Sequence, residues 1–127
     1  MATTRLSDAD PVLQLAYTSL LWDFKEQTGH DLILTCVYRS PEEQADLYAQ
    51  GRTKPGQIVT QLNGTPKQRS KHNLRPARAV DVAVTIAGKI SWDNALYAPL
   101  GPLAKRYGLV WGGDWTGFVD RPHLELP

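Results

Sequence analysis

The sequence has little of what several other classes of protein need. Its 127 residues include one cysteine, Cys36, which excludes an internal disulfide and is typical of a chain made in a reducing compartment. No apolar run is long enough to span a bilayer, and the N-terminus lacks the apolar segment of a signal peptide. The formal net charge is only +1, so charge gives no overall attraction to nucleic acid or to membranes.

The composition is that of one globular domain. Hydrophobic residues make up 42% of the chain and charged residues 21%, and no low-complexity tract argues for disorder. A domain of this length buries about two thirds of the surface that its unfolded chain exposes, so it can fold without disulfides or metal as a scaffold. We therefore expect a single domain over residues 1–127. Together with the helices and strands identified below, we expect the α+β class, with a small antiparallel sheet flanked by helices.

Local signals predict two helices in the first half of the chain. Apolar residues at steps of three and four predict a helix from Pro11 to Thr28, with Asp8 or Asp10 as its cap. The segment Ser40–Glu43 has the form of a capping box with proline at the first helical position, and it predicts a second helix that ends near Gly51.

Four segments are predicted to be strands. Leu32–Tyr38 is a nearly continuous apolar run, which indicates a strand buried on both faces, with Cys36 packed there as a small hydrophobe. Ala79–Val84 alternates and places Asp81 on the face opposite its valines. The other two candidates are Leu109–Trp111 and His123–Leu126, the latter with His123 and Glu125 on one face.

The remaining segments are less regular. Residues 52–71 have no clear period and are predicted to form a long surface loop, with a short strand near Ile58–Val59. Ser91 is predicted to cap a third helix that covers Leu96, Leu100 and Leu103 and stops at Gly108, and two internal prolines make it irregular or split it. The loop over residues 52–71 is long for a small domain, and loops of that length are often functional.

Two of the three histidines lie within a few residues of an aspartate where a strand meets a loop. Histidine and aspartate suit Zn²⁺, and a catalytic zinc typically takes three protein ligands and leaves one position open for water. His72, Asp81 and His123 are the candidate ligands. His30 lies in a turn beside Gly29, and we expect it to have only a structural role.

Four motifs in order resemble those of the zinc peptidases of the D-Ala-D-Ala carboxypeptidase and L-alanyl-D-glutamate endopeptidase family, above all its compact phage endolysins. The motifs are Tyr38–Gln44, Ser70–His72 with Ala79–Asp81, Trp111–Trp115 and Asp120–Glu125. The commoner first metal motif of that family reads Ser-x-His-x-x-Gly-x-Ala-x-Asp. Here that glycine is missing and two further residues separate the histidine from the aspartate. An even insertion leaves strand facing unchanged, and we expect it to bulge outward.

The resemblance implies that His72, Asp81 and His123 bind zinc. It also implies that Asp120 is the catalytic carboxylate, which takes a proton from the attacking water and gives one to the leaving amine. The alternative for Asp120 is a cap of the turn before Pro122.

The resemblance assigns Arg39 to the substrate carbonyl or a nearby carboxylate, where a guanidinium can stabilise an oxyanion. The alternative is a surface salt bridge to Glu42 or Glu43. Ser70 and Gln44 match motif positions that we expect to contact substrate.

Two further features remain open from the sequence. Glu125 either orients His123 or faces solvent. A run of basic residues without an acidic one lies on both sides of His72, and it is either a solvated loop or a surface that attracts an anionic polymer such as cell wall. Its members are Lys67, Arg69, Lys71, Arg75 and Arg78. Nucleic acid fits this run less well, because no aromatic residues interleave it.

The expected function is that of a zinc metallopeptidase, an endolysin that hydrolyses the L-alanyl-D-glutamate bond of peptidoglycan stem peptides. The alternatives are a D-alanyl-D-alanine carboxypeptidase, which would use the same metal and carboxylate, and a catalytically silent wall-binding module. We expect a monomer with no separate wall-binding domain, no nucleic-acid partner and no stable membrane association. It would be made in a host cytoplasm without a signal peptide and reach the wall for phage lysis after another protein permeabilises the membrane.

Overall fold

The computed structural model describes residues 2–127. The elements in chain order are α1 (Pro11–Thr28), β1 (Asp31–Cys36), α2 (Pro41–Ala49), β2 (Ala79–Ile86), β3 (Lys89–Ser91), α3 (Leu100–Arg106), β4 (Val110–Trp111) and β5 (His123–Glu125). Short 3-10 turns lie at Leu6–Asp8, Lys71–Asn73, Asn94–Tyr97 and Gly112–Asp114. No helix within the described residues is both long enough and apolar enough to cross a membrane.

The strands form one antiparallel sheet with helices against it, which confirms the predicted fold class. Its order is β1-β2-β5-β4, and β3 pairs with the far end of β2. In the register between β2 and β5, Asp81 lies opposite His123. Because side chains directly opposite each other share a face of the sheet, this register brings two candidate ligands together.

The hydrophobic core lies on the other face of β2. The alternating valines Val80, Val82 and Val84 are wholly buried there, together with the apolar stripe of α1. Burying one such side chain contributes roughly 1.5–3 kcal/mol, so the sheet is held by apolar packing independent of any metal. The polar face of β2 is left free to carry Asp81.

The local helix signals are confirmed. The Asp10 side chain accepts a hydrogen bond from the Val12 backbone N–H, and Gly29 ends α1 at a positive φ of 74°. The predicted capping box at Ser40 is present at the start of α2. In each case the signal and the structure lie within one helical turn, so distant parts of the chain do not override them.

Three predictions about the less regular segments are wrong. β1 ends at Cys36 and is buried on one face only, because Ile33 on the other face is 42% exposed. Ile58–Val59 forms no strand, and both side chains are more than 40% exposed. Ser91 belongs to β3, and the cap of the following turn is Asp93, whose side chain accepts from the Ala95 N–H. The predicted splitting of the third helix is confirmed.

Candidate active site

A cleft of about 610 Å³ opens over the polar face of β2. The predicted residues His72, Asp81 and His123 line it together with Asp120. Aromatic side chains to which the sequence analysis assigned no role form part of its wall; they are Trp92, Trp115 and Phe118. The long loop predicted over residues 52–71 contributes Val59 to Leu62 to the lining.

The two histidines converge on one carboxylate oxygen. Asp81 Oδ1 lies 3.1 Å from His72 Nε2 and 3.0 Å from His123 Nδ1. Asp81 and His123 face each other across β2 and β5, while His72 comes from the 3-10 turn after Ser70. The structure thus brings the three predicted ligands into one cluster at the floor of the cleft.

The other nitrogen of each histidine is already engaged. His72 Nδ1 lies 2.8 Å from the Val37 carbonyl oxygen, and His123 Nε2 lies 2.7 Å from Glu125 Oε1. Both oxygens only accept, so both nitrogens must donate, as in metal-binding histidines generally. In the neutral state His72 Nε2 and His123 Nδ1 are then acceptors, and both face an anionic oxygen. Such a cluster requires protons or a cation, and the donor set fits Zn²⁺.

The charges of the cluster point to the same requirement. Burial opposes a charged imidazole, yet the charge and hydrogen bond of Asp81 raise the pKa of His72 to about 10. Burial likewise lowers the pKa of His123, but its hydrogen bonds to the carboxylates of Asp81 and Glu125 outweigh burial and raise that pKa. For Asp81, burial alone would raise the pKa, but the two histidines hold it well below its ordinary value. The cluster therefore favours added positive charge.

Asp120 lies at the edge of this cluster. Its Oδ2 is 3.9 Å from His123 Nδ1, and its side chain is 33% exposed to the cleft. Burial, followed by the negative charge of Asp81, raises the pKa of Asp120 above its ordinary value. The turn before Pro122 is closed by the Asp120 backbone carbonyl, which accepts from the His123 N–H at 3.2 Å. The turn therefore does not use the carboxylate, which remains exposed to the cleft beside His123.

Cys36 widens the choice of possible ligands. Within the described residues, two sets have ligand atoms within 4.8 Å of one another, namely Cys36 with His72 and Asp81, and Asp81 with Asp120 and His123. Asp81 belongs to both sets, and each set contains one of the two histidines. The Cys36 Sγ lies 3.6 Å from His72 Nδ1, which is the nitrogen that donates to Val37. The nitrogen of His72 that faces Asp81 is the other one, Nε2. Cys36 is buried as predicted, but the structure adds these polar contacts to its packing role.

Arg39 reaches the cluster from the loop before α2. Its Nη1 donates to Gln44 Oε1 at 2.9 Å, and its Nη2 lies 3.7 Å from Asp81 Oδ2. The alternative salt bridge to a glutamate of α2 is therefore not formed. Gln44 is wholly buried and also donates to the Leu62 carbonyl, so its contacts are with the arginine and the loop. It holds Arg39 in place from behind the cleft surface.

Ser70 and the insertion after His72 shape the backbone at the first motif. The Ser70 hydroxyl caps the turn by accepting from the His72 N–H at 3.2 Å. The prediction that the insertion after His72 bulges outward is wrong at Ala77. This residue is wholly buried, and its backbone is hydrogen-bonded to the backbone of Asp8 and Asp10 in the N-terminal segment. The extra residues are accommodated because this segment gives their backbone groups partners.

The basic run is mostly used within the fold. Three of its members have partners: Lys71 pairs with Glu125, Arg75 lies over the Tyr38 ring, and Arg78 pairs with Asp10. Lys67 and Arg69 are exposed, and only Arg69 lines the cleft. The run is therefore not one uniformly solvated surface.

Gly112 has a role that the sequence analysis did not identify. A Cβ at this position would lie 2.2 Å from the Asp120 carbonyl oxygen, and the Gly112 carbonyl accepts from the Asp120 N–H at 3.0 Å. Only glycine permits this close approach. The paired glycines of the Trp111–Trp115 motif were the available signal, and the structure shows that the first of them supports the segment that carries Asp120.

Glu125 orients His123, which decides between the two readings of this residue. Replacing Glu125 with alanine should weaken zinc binding about 10- to 100-fold, because His123 loses the acceptor that fixes its ring. Zinc affinity measured by competition with a chromophoric chelator tests this. Lys71→Ala is the control, since it removes the ion pair to Glu125 and leaves the bond to His123. Equal weakening in both variants would assign the effect to the ion pair.

Comparison with known proteins identifies relatives. A peptidase M15 family model, described as D-alanyl-D-alanine carboxypeptidase, matches residues 63–126. The chain is 40% identical over 108 residues to the peptidoglycan L-alanyl-D-glutamate endopeptidase CwlK of Bacillus subtilis (strain 168), covering 77% of this chain and 62% of that one. It is 29% identical over 110 residues to the L-alanyl-D-glutamate peptidase of Listeria phage A118, covering 84% and 34%.

A solved structure shows the same fold. The L-Ala D-Glu endopeptidase ChiX of Serratia marcescens matches with a TM-score of 0.65 at 23% identity, over 96% of this chain and 83% of that chain. The chain spans less than two thirds of the length of both curated relatives. The family match covers half of the chain, and the matched segment includes His72, Asp81, Asp120 and His123. The chain therefore belongs to the peptidase M15 family, a family of zinc peptidases.

Proposed function

We propose that this chain is a zinc-dependent peptidase that hydrolyses the L-alanyl-D-glutamate bond of peptidoglycan stem peptides. The observation that carries the proposal is the convergence of His72, Asp81 and His123 beside Asp120 in an open cleft. The activities after which the relatives from Bacillus subtilis and Listeria phage A118 are named support the choice of bond. The phage relative supports a role in lysis of the cell wall.

The residues divide the work of hydrolysis. His72 Nε2, Asp81 and His123 Nδ1 would hold the metal, and zinc, when bound, activates water and polarises the scissile carbonyl. Asp120 accepts the proton that the attacking water loses and then donates it to the leaving amine, for which its raised pKa is suited. Arg39, fixed by Gln44, offers a guanidinium to the oxyanion that develops on the carbonyl oxygen.

A D-alanyl-D-alanine carboxypeptidase is the second candidate, and the description of the matching family model favours it. Both reactions would use the same metal and the same carboxylate, so the products must decide. We expect digestion of purified peptidoglycan to yield fragments with a new N-terminal D-glutamate, identified by mass analysis. Free D-alanine instead would select the carboxypeptidase.

The same digestion separates an enzyme from a silent wall-binding module. The metal-loaded protein should release soluble fragments, whereas Asp120→Asn should release almost none. A protein that binds peptidoglycan and releases neither product would overturn the proposal in favour of the binding module.

A further inference from the structure

Among the described residues, the cleft contains one arginine or lysine side chain without a partner. Of the three that line it, Arg39 donates to Gln44, and Lys71 pairs with Glu125. Arg69 lines the same cleft, is exposed, and makes no hydrogen bond or ion pair with any other residue in the described part of the chain. Five N–H donors are therefore available at the cleft surface.

Arg69 lies close to the reacting centre along the chain. It directly precedes Ser70, whose hydroxyl caps the turn that carries His72. Three residues of chain separate the Cα atoms of Arg69 and His72 by at most about 11 Å. A long side chain at that distance can reach a group within one residue of the bond that is cleaved beside His72.

The proposed substrate offers a matching anion, and this step rests on the proposed function. A glutamate residue has two carboxyl groups, and only one of them continues the stem peptide. The other is free, unless it is amidated, and it belongs to the residue on the C-terminal side of the scissile bond. A planar guanidinium binds such a carboxylate through two parallel hydrogen bonds.

We propose that Arg69 binds this free carboxylate and makes the enzyme select stem peptides with unamidated D-glutamate. Arg69 is then a specificity-determining residue, and it has no part in the proton transfer by Asp120. The interaction is local and geometric. It differs from a general attraction of the basic run to an anionic wall, which would act through every exposed cation alike.

Lys67 provides the matched control. It belongs to the same loop and the same basic run, is exposed, and has no partner among residues 2–127. It does not line the cleft. Lys67→Ala and Arg69→Ala thus remove the same charge from the same surface, but only the second removes a donor from the cleft.

The test compares two synthetic stem peptides that differ only in the free carboxylate or carboxamide of D-glutamate. The unchanged zinc-loaded protein should cleave the acid with a kcat/KM about 10- to 100-fold above that of the amide, as expected for a charge-assisted hydrogen bond. Arg69→Ala should lose this preference by slowing on the acid alone, and Arg69→Lys should keep part of it. Lys67→Ala should behave as the unchanged protein on both peptides.

The outcomes separate this inference from the proposed function. Cleavage of both peptides with the same acid-to-amide ratio in Arg69→Ala as in the unchanged protein would overturn the role of Arg69 alone. An equal fall in Arg69→Ala and Lys67→Ala would also overturn it, in favour of general attraction. No cleavage of either peptide by the unchanged protein would overturn the proposed function and this inference with it.

Discussion

Replacing Asp120 with asparagine is expected to slow peptidoglycan hydrolysis by about 10²- to 10⁴-fold while leaving zinc bound. The amide keeps the shape of the side chain but cannot accept the proton of the attacking water. Asp120 lies 3.9 Å from His123 Nδ1, beyond hydrogen-bond length, and burial with the charge of Asp81 raises its pKa toward the range useful for proton transfer. Release of soluble fragments and zinc content, measured on the same preparation, test both halves of the expectation.

The control for Asp120 is another aspartate of the C-terminal region. Asp114 is exposed in the Gly112–Asp114 turn and does not line the cleft, so Asp114→Asn should retain full activity. If Asp120→Asn loses its zinc, Asp120 is a ligand, as its grouping with Asp81 and His123 would permit. If the variant keeps both zinc and activity, the proton must be moved by another group.

The sequence predicted those parts of the fold whose causes are local. The boundaries of α1 and the capping box of α2 follow from side chains within one turn of the helix end. β3 was missed because a strand of three residues, Lys89–Ser91, is too short to show an alternation of apolar and polar residues. Its pairing with β2 is what makes this segment a strand. The burial of β1 was overestimated, since an apolar run does not show how many faces of a strand are covered.

For the candidate site, too, the sequence identified the residues but not the long-range contacts that bring them together. Motif order pointed to His72, Asp81, Asp120 and His123, but proximity depends on the register of β2 with β5, which no local signal contains. The role of Gln44 could not be read from its motif position, because it depends on where the long loop passes. Only the folded chain shows Gln44 buried between Arg39 and Leu62.

The two histidine nitrogens that face Asp81 explain why hydrolysis should depend on the metal as much as on the proton carrier Asp120. With His72 Nδ1 and His123 Nε2 donating elsewhere, the nitrogens that face Asp81 have no hydrogen to offer it in their neutral state. A dication removes this conflict, and imidazole with carboxylate is a ligand set that catalytic zinc accepts. The apolar core lies on the opposite face of β2, so loss of the ion should leave the fold in place.

Removing the metal is therefore expected to have an effect of similar size to that of losing Asp120. Zinc contributes several kcal/mol to stabilising the transition state, so chelation should reduce hydrolysis about 10³-fold or more. Adding Zn²⁺ back to the chelated protein should restore it, with about one ion per chain by elemental analysis. Full activity in a preparation shown to be free of metal would sink the zinc mechanism.

Asp81→Asn turns this into a test of the ligand set. The amide preserves volume but removes the anionic oxygen on which His72 and His123 converge, so zinc should be lost and added Zn²⁺ should not restore hydrolysis. Cys36→Ser is the matched variant, because its thiol lies at the engaged Nδ1 of His72, and it should keep its zinc. The reverse result, zinc retained without the Asp81 carboxylate and lost without the Cys36 thiol, would move the metal to the other side of the His72 ring.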